Sequence, residues 1–199
     1  MGDINPRAVK YLDEVAKTIE RMEKDLPFKV EEIVSALVKA RDSGKHIYIC
    51  GNGGSASTAS HMASDLNKGA NRKDAPRFKA IALTDNIPAM LAWANDLSYD
   101  DIFVEQLKNH LEEGDIVVGI SGSGNSPNVL KALHYANDNG ALTIGLSGFG
   151  GGKLAQVAKI CYVVPNHTMQ QIEDLHLLIE HMLSLILRDS PECVGTKGR

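Results

Sequence analysis

With 199 residues, 43% of them hydrophobic, and a formal net charge of −4, the chain can bury one sizeable core and predicts one α/β domain rather than two. No block of lysine and arginine stands out, which argues against DNA or RNA as the main partner. No signal-peptide core opens the sequence and no run approaches the roughly 18 apolar residues of a membrane span, so a soluble, cytosolic protein with no membrane partner is expected.

In chain order, Val9, Leu12, Val15, Ala16 and Ile19 recur at three- and four-residue steps and predict a first helix. A second series, Val30, Ile33, Val34, Leu37 and Val38, ends near Ser43-Gly44, with Asp25-Leu26-Pro27 between the two. His46 to Cys50 is short, apolar and β-prone and reads as a buried strand. Gly51-Asn52-Gly53-Gly54-Ser55 follows, and then a helix with Ala59, Met62, Ala63 and Leu66 at helical spacing. A polar, breaker-rich loop over 67–76 leads to a second strand, Phe78 to Leu83. Helices are expected at 87–95 and 101–112. The third strand is Ile116 to Ile120, the fourth Leu142 to Leu146 and the fifth Ile160 to Val164. Between the third and fourth, Ser121-Gly122-Ser123-Gly124-Asn125-Ser126 opens a helix at Pro127, a residue favoured at the first helical position. A long helix from Met169 to Leu187 closes a domain spanning 1–189, and 190–199 reads as a tail. Alternating strands and helices imply a three-layer α/β sandwich: a five-stranded parallel sheet, helices on both faces, and a ligand site at the carboxyl ends of the strands.

Two loops carry the chemistry. Glycines where a strand becomes a helix allow close backbone approach, and the first helical N–H groups face an anion, most often phosphate. Gly51-x-Gly53-x-x-Ala56 also meets a loose dinucleotide pattern, but Asp85 comes late for the acid that pattern needs about 20 residues on. The Ser121–Ser126 loop offers three serines and an asparagine, which suits several phosphate or sugar oxygens. His61 and Asp65 are spaced i, i+4 on one helix face. On the last helix Glu173, His176, Glu180 and His181 fall within nine residues, with Glu173 and His181 two turns apart along nearly one face. Two imidazoles and two carboxylates on two helices can converge as a four-ligand Zn²⁺ site. Cys50, Cys161 and Cys193 form no C-x-x-C pair and read as two buried strand thiols and one tail thiol.

The glycine turn with His61, Ala94-Asn95-Asp96, the serine loop, Gly151-Gly152-Lys153-Leu154-Ala155, and Ile172-Glu173-Asp174-Leu175-His176 with His181 together resemble the phosphoheptose isomerase family of the SIS-domain superfamily, in order and spacing to about Asp189. The resemblance implies a homotetramer with active sites at subunit interfaces and isomerisation of sedoheptulose 7-phosphate to D-glycero-D-manno-heptose 7-phosphate through an enediolate. It places substrate contacts on Asn52, Gly53, Gly54, Ser55, Asp65, Asn95, Asp96, Ser121, Gly122, Ser123, Ser126 and Glu173. It implies one zinc per subunit on His61, Asp65, Glu173 and His181, with Asp65 as base and His181 as proton donor. The chain departs from the family's usual residues at Asp65 (glutamate), Gly122 (threonine), Gln171 (arginine) and Glu173 (glutamine). Aspartate reaches one methylene less far, and Glu173 adds negative charge that favours a divalent cation. A non-catalytic sugar-phosphate sensor or interaction protein on the same fold is the alternative that tolerates these changes.

Overall fold

Five apolar runs form parallel strands in the order β2-β1-β3-β4-β5: β1 (His46–Gly51), β2 (Lys79–Ala82), β3 (Ile116–Ser121), β4 (Leu142–Ser147) and β5 (Ile160–Val163). They belong to a computed structural model of the chain that describes residues 5–193. The central strand β3 is buried along its whole length, whereas the edge strand β2 alternates exposed and buried residues, as an edge should. Side chains alternate across the sheet. Ile47, Ile49, Val118 and Ile120 face one apolar layer, while Tyr48, Cys50 and Val117 face the other.

The first layer holds α1 (Asn5–Met22), α2 (Leu26–Asp42), α3 (Gly54–Ser64) and α8 (Met169–Asp189). The second is built mainly from α5 (Val104–His110), α6 (Pro127–Asp138) and α7 (Leu154–Val157), with α4 (Ile87–Asp96) at its margin. The five-stranded parallel sandwich expected from the sequence is therefore observed. The expected 101–112 helix divides into a 3₁₀ turn at Tyr99–Asp101 and α5.

Of the expected tail over 190–199, residues 194–199 lie outside the described residues. The preceding residues are packed: Pro191–Cys193 forms a 3₁₀ turn, Cys193 is buried, and its carbonyl accepts a hydrogen bond from the buried Arg41 Nη2 at 2.9 Å. A buried guanidinium needs such acceptors, and this one holds the segment against the core. Among the described residues no helix is long and apolar enough to cross a membrane.

The chain leaves β1 toward β2 on one side and returns to β3 on the other. Neighbouring β1 and β3, with Gly51 paired to Ile120, thus form the topological switch point where α/β sheets bind ligands. The glycine turn and the serine loop emerge from these two strand ends.

Candidate active site and metal centre

The two loops are tied to each other. Asn52 Nδ2 donates to Asn128 Oδ1 at 2.8 Å and Asn128 Nδ2 donates back to Asn52 Oδ1 at 2.9 Å. Tyr99 Oη also donates to Asn52 Oδ1 at 2.9 Å, so the Asn52 side chain braces the turn at the edge of the cavity it lines. In the serine loop, the hydroxyls of Ser121 and Ser126 share a hydrogen bond of 2.9 Å, and Ser123 Oγ accepts from the Asn125 N–H at 3.2 Å. Gly124 (φ +66°) lies so close to the following loop that a Cβ would overlap the Gly151 carbonyl. Lys153 N–H donates to Asn125 Oδ1 at 3.2 Å and Leu154 N–H to the Gly124 carbonyl at 2.9 Å, so the Gly151–Leu154 segment supports the serine loop from behind.

Between the loops opens a cavity of about 270 Å³, into which Ser121, Ser123, Ser126, Met169 and Glu173 project along with the glycine turn. Glu173 reaches it from α8 and seats its carboxylate against Gly54, the first residue of α3. A Cβ on Gly54 would stand 2.5 Å from the carboxyl carbon. The positive end of the α3 dipole, where the sequence suggests a phosphate, therefore faces a carboxylate of the protein itself. Met169 sulfur fills the space beside Gly122 where the Cβ of the family's usual threonine would stand.

The histidine–carboxylate cluster lies along the same α3–α8 seam. His61 and Glu173 are seven and eight residues from Gly54 and His181 respectively, which at the helical rise is about 10–12 Å. The ligand atoms of His61, Asp65, Glu180 and His181 all lie within 4.8 Å of one another. Asp65 opens a π-helical turn, Asp65–Gly69, that ends α3; such turns re-aim side chains and recur at functional sites. The two imidazoles meet Nε2 to Nε2 at 3.2 Å. Glu180 is 1% exposed, and neither of its carboxylate oxygens has a hydrogen-bond partner. Burial, reinforced by the Asp65 carboxyl beside it, pushes Glu180 up to about 7.

The structure gathers three of the four expected ligands and one residue that was not expected. Glu173 stands in the cavity, and Glu180 takes the fourth place beside His61, Asp65 and His181. The signal for Glu180 was present in the sequence, because it falls on the stripe Leu175, Ile179, Leu183 and Leu187 that α8 buries. A carboxylate on an apolar stripe is an unpaired cost unless something binds it. A buried carboxylate that makes no hydrogen bond and two imidazole nitrogens that meet at 3.2 Å suit a divalent cation with mixed nitrogen and oxygen donors.

The remaining expected residues divide. Gly53, Gly54 and Ser55 line the cavity with Ser121, Gly122, Ser123 and Ser126. Asn95 and Asp96 do not: they end the exposed helix α4, with Asn95 Nδ2 donating to Asp96 Oδ1 at 2.8 Å. Asp65 lies in the cluster and not among the cavity's lining. Cys50, at the end of β1, is buried and its thiol is pushed up to about 12 by desolvation, which excludes it as a nucleophile.

The chain as a whole has known relatives. The SIS domain family model matches residues 10–148. A phosphoheptose isomerase of Aliarcobacter butzleri is 39% identical over 177 residues, covering 89% of this chain and 91% of the relative. A phosphoheptose isomerase structure from Neisseria gonorrhoeae superposes with a TM-score of 0.87 at 29% identity, over 93% of this chain and 98% of that one. One from Francisella tularensis does so with a TM-score of 0.86, again at 29% identity, over 94% and 98%. By sequence and by fold, the chain belongs to the phosphoheptose isomerase family of SIS-domain proteins.

Proposed function

We propose that the chain is an aldose–ketose isomerase that converts sedoheptulose 7-phosphate to D-glycero-D-manno-heptose 7-phosphate. The observation that carries this reading is the cavity at the β1/β3 switch point, where serine hydroxyls and a glycine turn converge in a chain of this family. The phosphate binds to the hydroxyls of Ser121, Ser123 and Ser126. Their binding free energy, remote from the reacting carbons, holds C1 and C2 in place. Isomerisation then moves a proton from C1 to C2 through an enediolate.

His61, Asp65, Glu180 and His181 would hold one Zn²⁺ per subunit, which when bound supplies Lewis-acid stabilisation of negative charge on the sugar oxygens. His181, half exposed beside the seam, serves as proton donor to those oxygens, and Asp65 is its partner in acid–base work. Exposed Val9 and Leu12 on α1 and Ile87 and Leu91 on α4 leave apolar faces without a partner. Such faces support a homotetramer, with Asn95 and Asp96 completing the site across an interface. The setting proposed is the cytoplasm.

Turnover of sedoheptulose 7-phosphate to the aldose tests the reading. Asp65→Asn and His181→Gln should each lower it about 10²-fold or more, the scale of general acid–base effects. Absence of turnover across a panel of ketose phosphates, with zinc supplied, would refute it.

A further inference from the structure

The glycine turn has little means of holding its own shape. Glycine at 51, 53 and 54 leaves Asn52 as the only side chain of the turn, and Gly53 stands at φ +55°, a conformation that glycine leaves as readily as it enters. Ordering such a segment costs backbone entropy, so its shape must be imposed from outside, through Asn52. The Asn52 amide is gripped on two sides. Tyr99 reaches it from the 3₁₀ turn that follows α4. Opposite stands Asn128, the second residue of α6, 1% exposed. Asn128 Oδ1 accepts from Asn52 Nδ2 at 2.8 Å and from the Val129 N–H at 2.9 Å, while Asn128 Nδ2 donates back to Asn52 Oδ1 at 2.9 Å. Two antiparallel bonds between one pair of buried amides fix orientation as well as distance. Asn128 lies two residues beyond Ser126, whose hydroxyl bonds that of Ser121, so the same helix start that carries the serine loop also holds the turn.

We infer that Asn128 is a positioning residue for the sugar-phosphate site, which through Asn52 sets the gap between the glycine turn and the serine loop. The inference rests on the reading of that cavity given above. Asn52, Gly53 and Gly54 form one wall of the cavity and Ser121, Ser123 and Ser126 another, whereas Asn128 is not among its lining. A ligand that spans both walls gains from both only if they are held at the matching separation before it arrives. Without the Asn128 amide the turn must be ordered at the moment of binding, and that cost is subtracted from the affinity. The histidine–carboxylate cluster lies at the other end of α3 and does not share the brace.

The test makes Asn128→Ala and Asn52→Ala singly and together, and measures the affinity of each folded protein for sedoheptulose 7-phosphate by calorimetry, well below its melting temperature, with metal content alongside. Asn128→Ala should weaken binding about tenfold and leave the metal content unchanged. The double variant should bind as Asn52→Ala does, because a residue that acts only through Asn52 then has nothing left to position. A merely structural role would lower the melting temperature and leave the affinity of the folded protein at the parent's value, which would overturn the inference. Losses that add in the double variant would overturn it too, by giving Asn128 a route to the ligand that bypasses Asn52. If Asn128→Ala does not fold, Asn128→Asp decides: it is nearly isosteric and keeps the acceptor for the Val129 N–H, but sets an oxygen opposite Asn52 Oδ1. It should lose affinity about fivefold or more, and parent-like binding would overturn the assignment while the reading of the cavity stands. A parent that does not bind the sugar phosphate at all would overturn both.

Discussion

His61 and His181 face each other across the seam between α3 and α8, Nε2 to Nε2 at 3.2 Å. Only one hydrogen can lie between the two nitrogens, and two carboxylates stand within 4.8 Å of them. Left to itself this cluster is poorly compensated, since the buried Glu180 carboxylate makes no hydrogen bond and lies 3.6 Å from His181 Nε2 through Oε2. A divalent cation satisfies all four groups at once.

The first prediction follows from that compensation. Zinc should bind at about one ion per chain and raise the melting temperature, because a ligand at 100 times its Kd adds about 2.7 kcal/mol to the folded state. His61→Ala, His181→Ala and Glu180→Gln should each lose most of this gain, and Glu173→Gln should keep it. Elemental analysis with thermal melts checks the pattern. Equal metal content in the Glu180→Gln variant and its parent would contradict the ligand set.

The second concerns Gly54. A Cβ there would stand 2.5 Å from Glu173 Oε2, the far end of a flexible side chain that can swing aside. Gly54→Ala should therefore fold with stability within about 1 kcal/mol of the parent, given alanine's own helix preference. Its turnover should fall about tenfold or more, because the displaced carboxylate swings within the cavity that the sugar phosphate fills. Thermal melts alongside steady-state kinetics measure both, and parent-like turnover would contradict the importance of the Glu173 seat.

Most of the architecture was legible because each strand carries a compact apolar run and each long helix a periodic stripe. Ile47-Tyr48-Ile49-Cys50 and Ile116-Val117-Val118 are buried on both faces, as their continuous apolar character requires. His61 and Asp65 could be paired because they are four residues apart in one continuous helical stretch, α3 and the π-turn that follows it. Pairing with His181 favoured Glu173, which nearly shares its face, whereas the approach of α3 and the π-turn at Asp65 bring Glu180 to the cluster, a residue whose place on the buried face of α8 was the available clue. Nothing in Asp65-Leu66-Asn67-Lys68-Gly69 marks that turn, which arises from packing against α8. The engagement of Asn52 with Asn128 was likewise hidden, for it joins residues 76 apart in sequence.

The third prediction concerns the phosphate. Ser123→Ala and Ser126→Ala should each weaken sugar-phosphate binding by about 0.5–1.5 kcal/mol, the range for a neutral hydrogen bond. Since Ser121 and Ser126 bond each other at 2.9 Å, the Ser121→Ala/Ser126→Ala pair should be non-additive. Calorimetry would show it, and equal affinity for the phosphorylated and unphosphorylated sugar would count against the serine loop as the anchor.

The fourth is a pH effect on stability. His176 is 1% exposed, its Nδ1 has no partner, and burial holds it down to about 4, against the 3.2 Å contact of Nε2 with the Ser147 carbonyl. A histidine whose folded value lies below its ordinary 6.5 stabilises the fold above that value. This contribution is lost as pH falls through 6.5 toward 4. Between pH 7 and pH 4.5 the loss from this one group is about 2.5 kcal/mol. Urea unfolding of His176→Leu should show a correspondingly shallower decline over that range; parallel curves for parent and variant would contradict the assignment.

The most direct measurement is hydrogen exchange in the substrate itself. Zinc-loaded parent protein is incubated with sedoheptulose 7-phosphate in D2O and followed by nuclear magnetic resonance. A base that moves hydrogen between C1 and C2 must expose it, at least in part, to solvent. Formation of the heptose phosphate with deuterium appearing at C2, and at C1 of recovered ketose, is the predicted result. Tight binding of the sugar phosphate with no deuterium at either carbon would contradict the isomerase account and identify a sensor on the same fold.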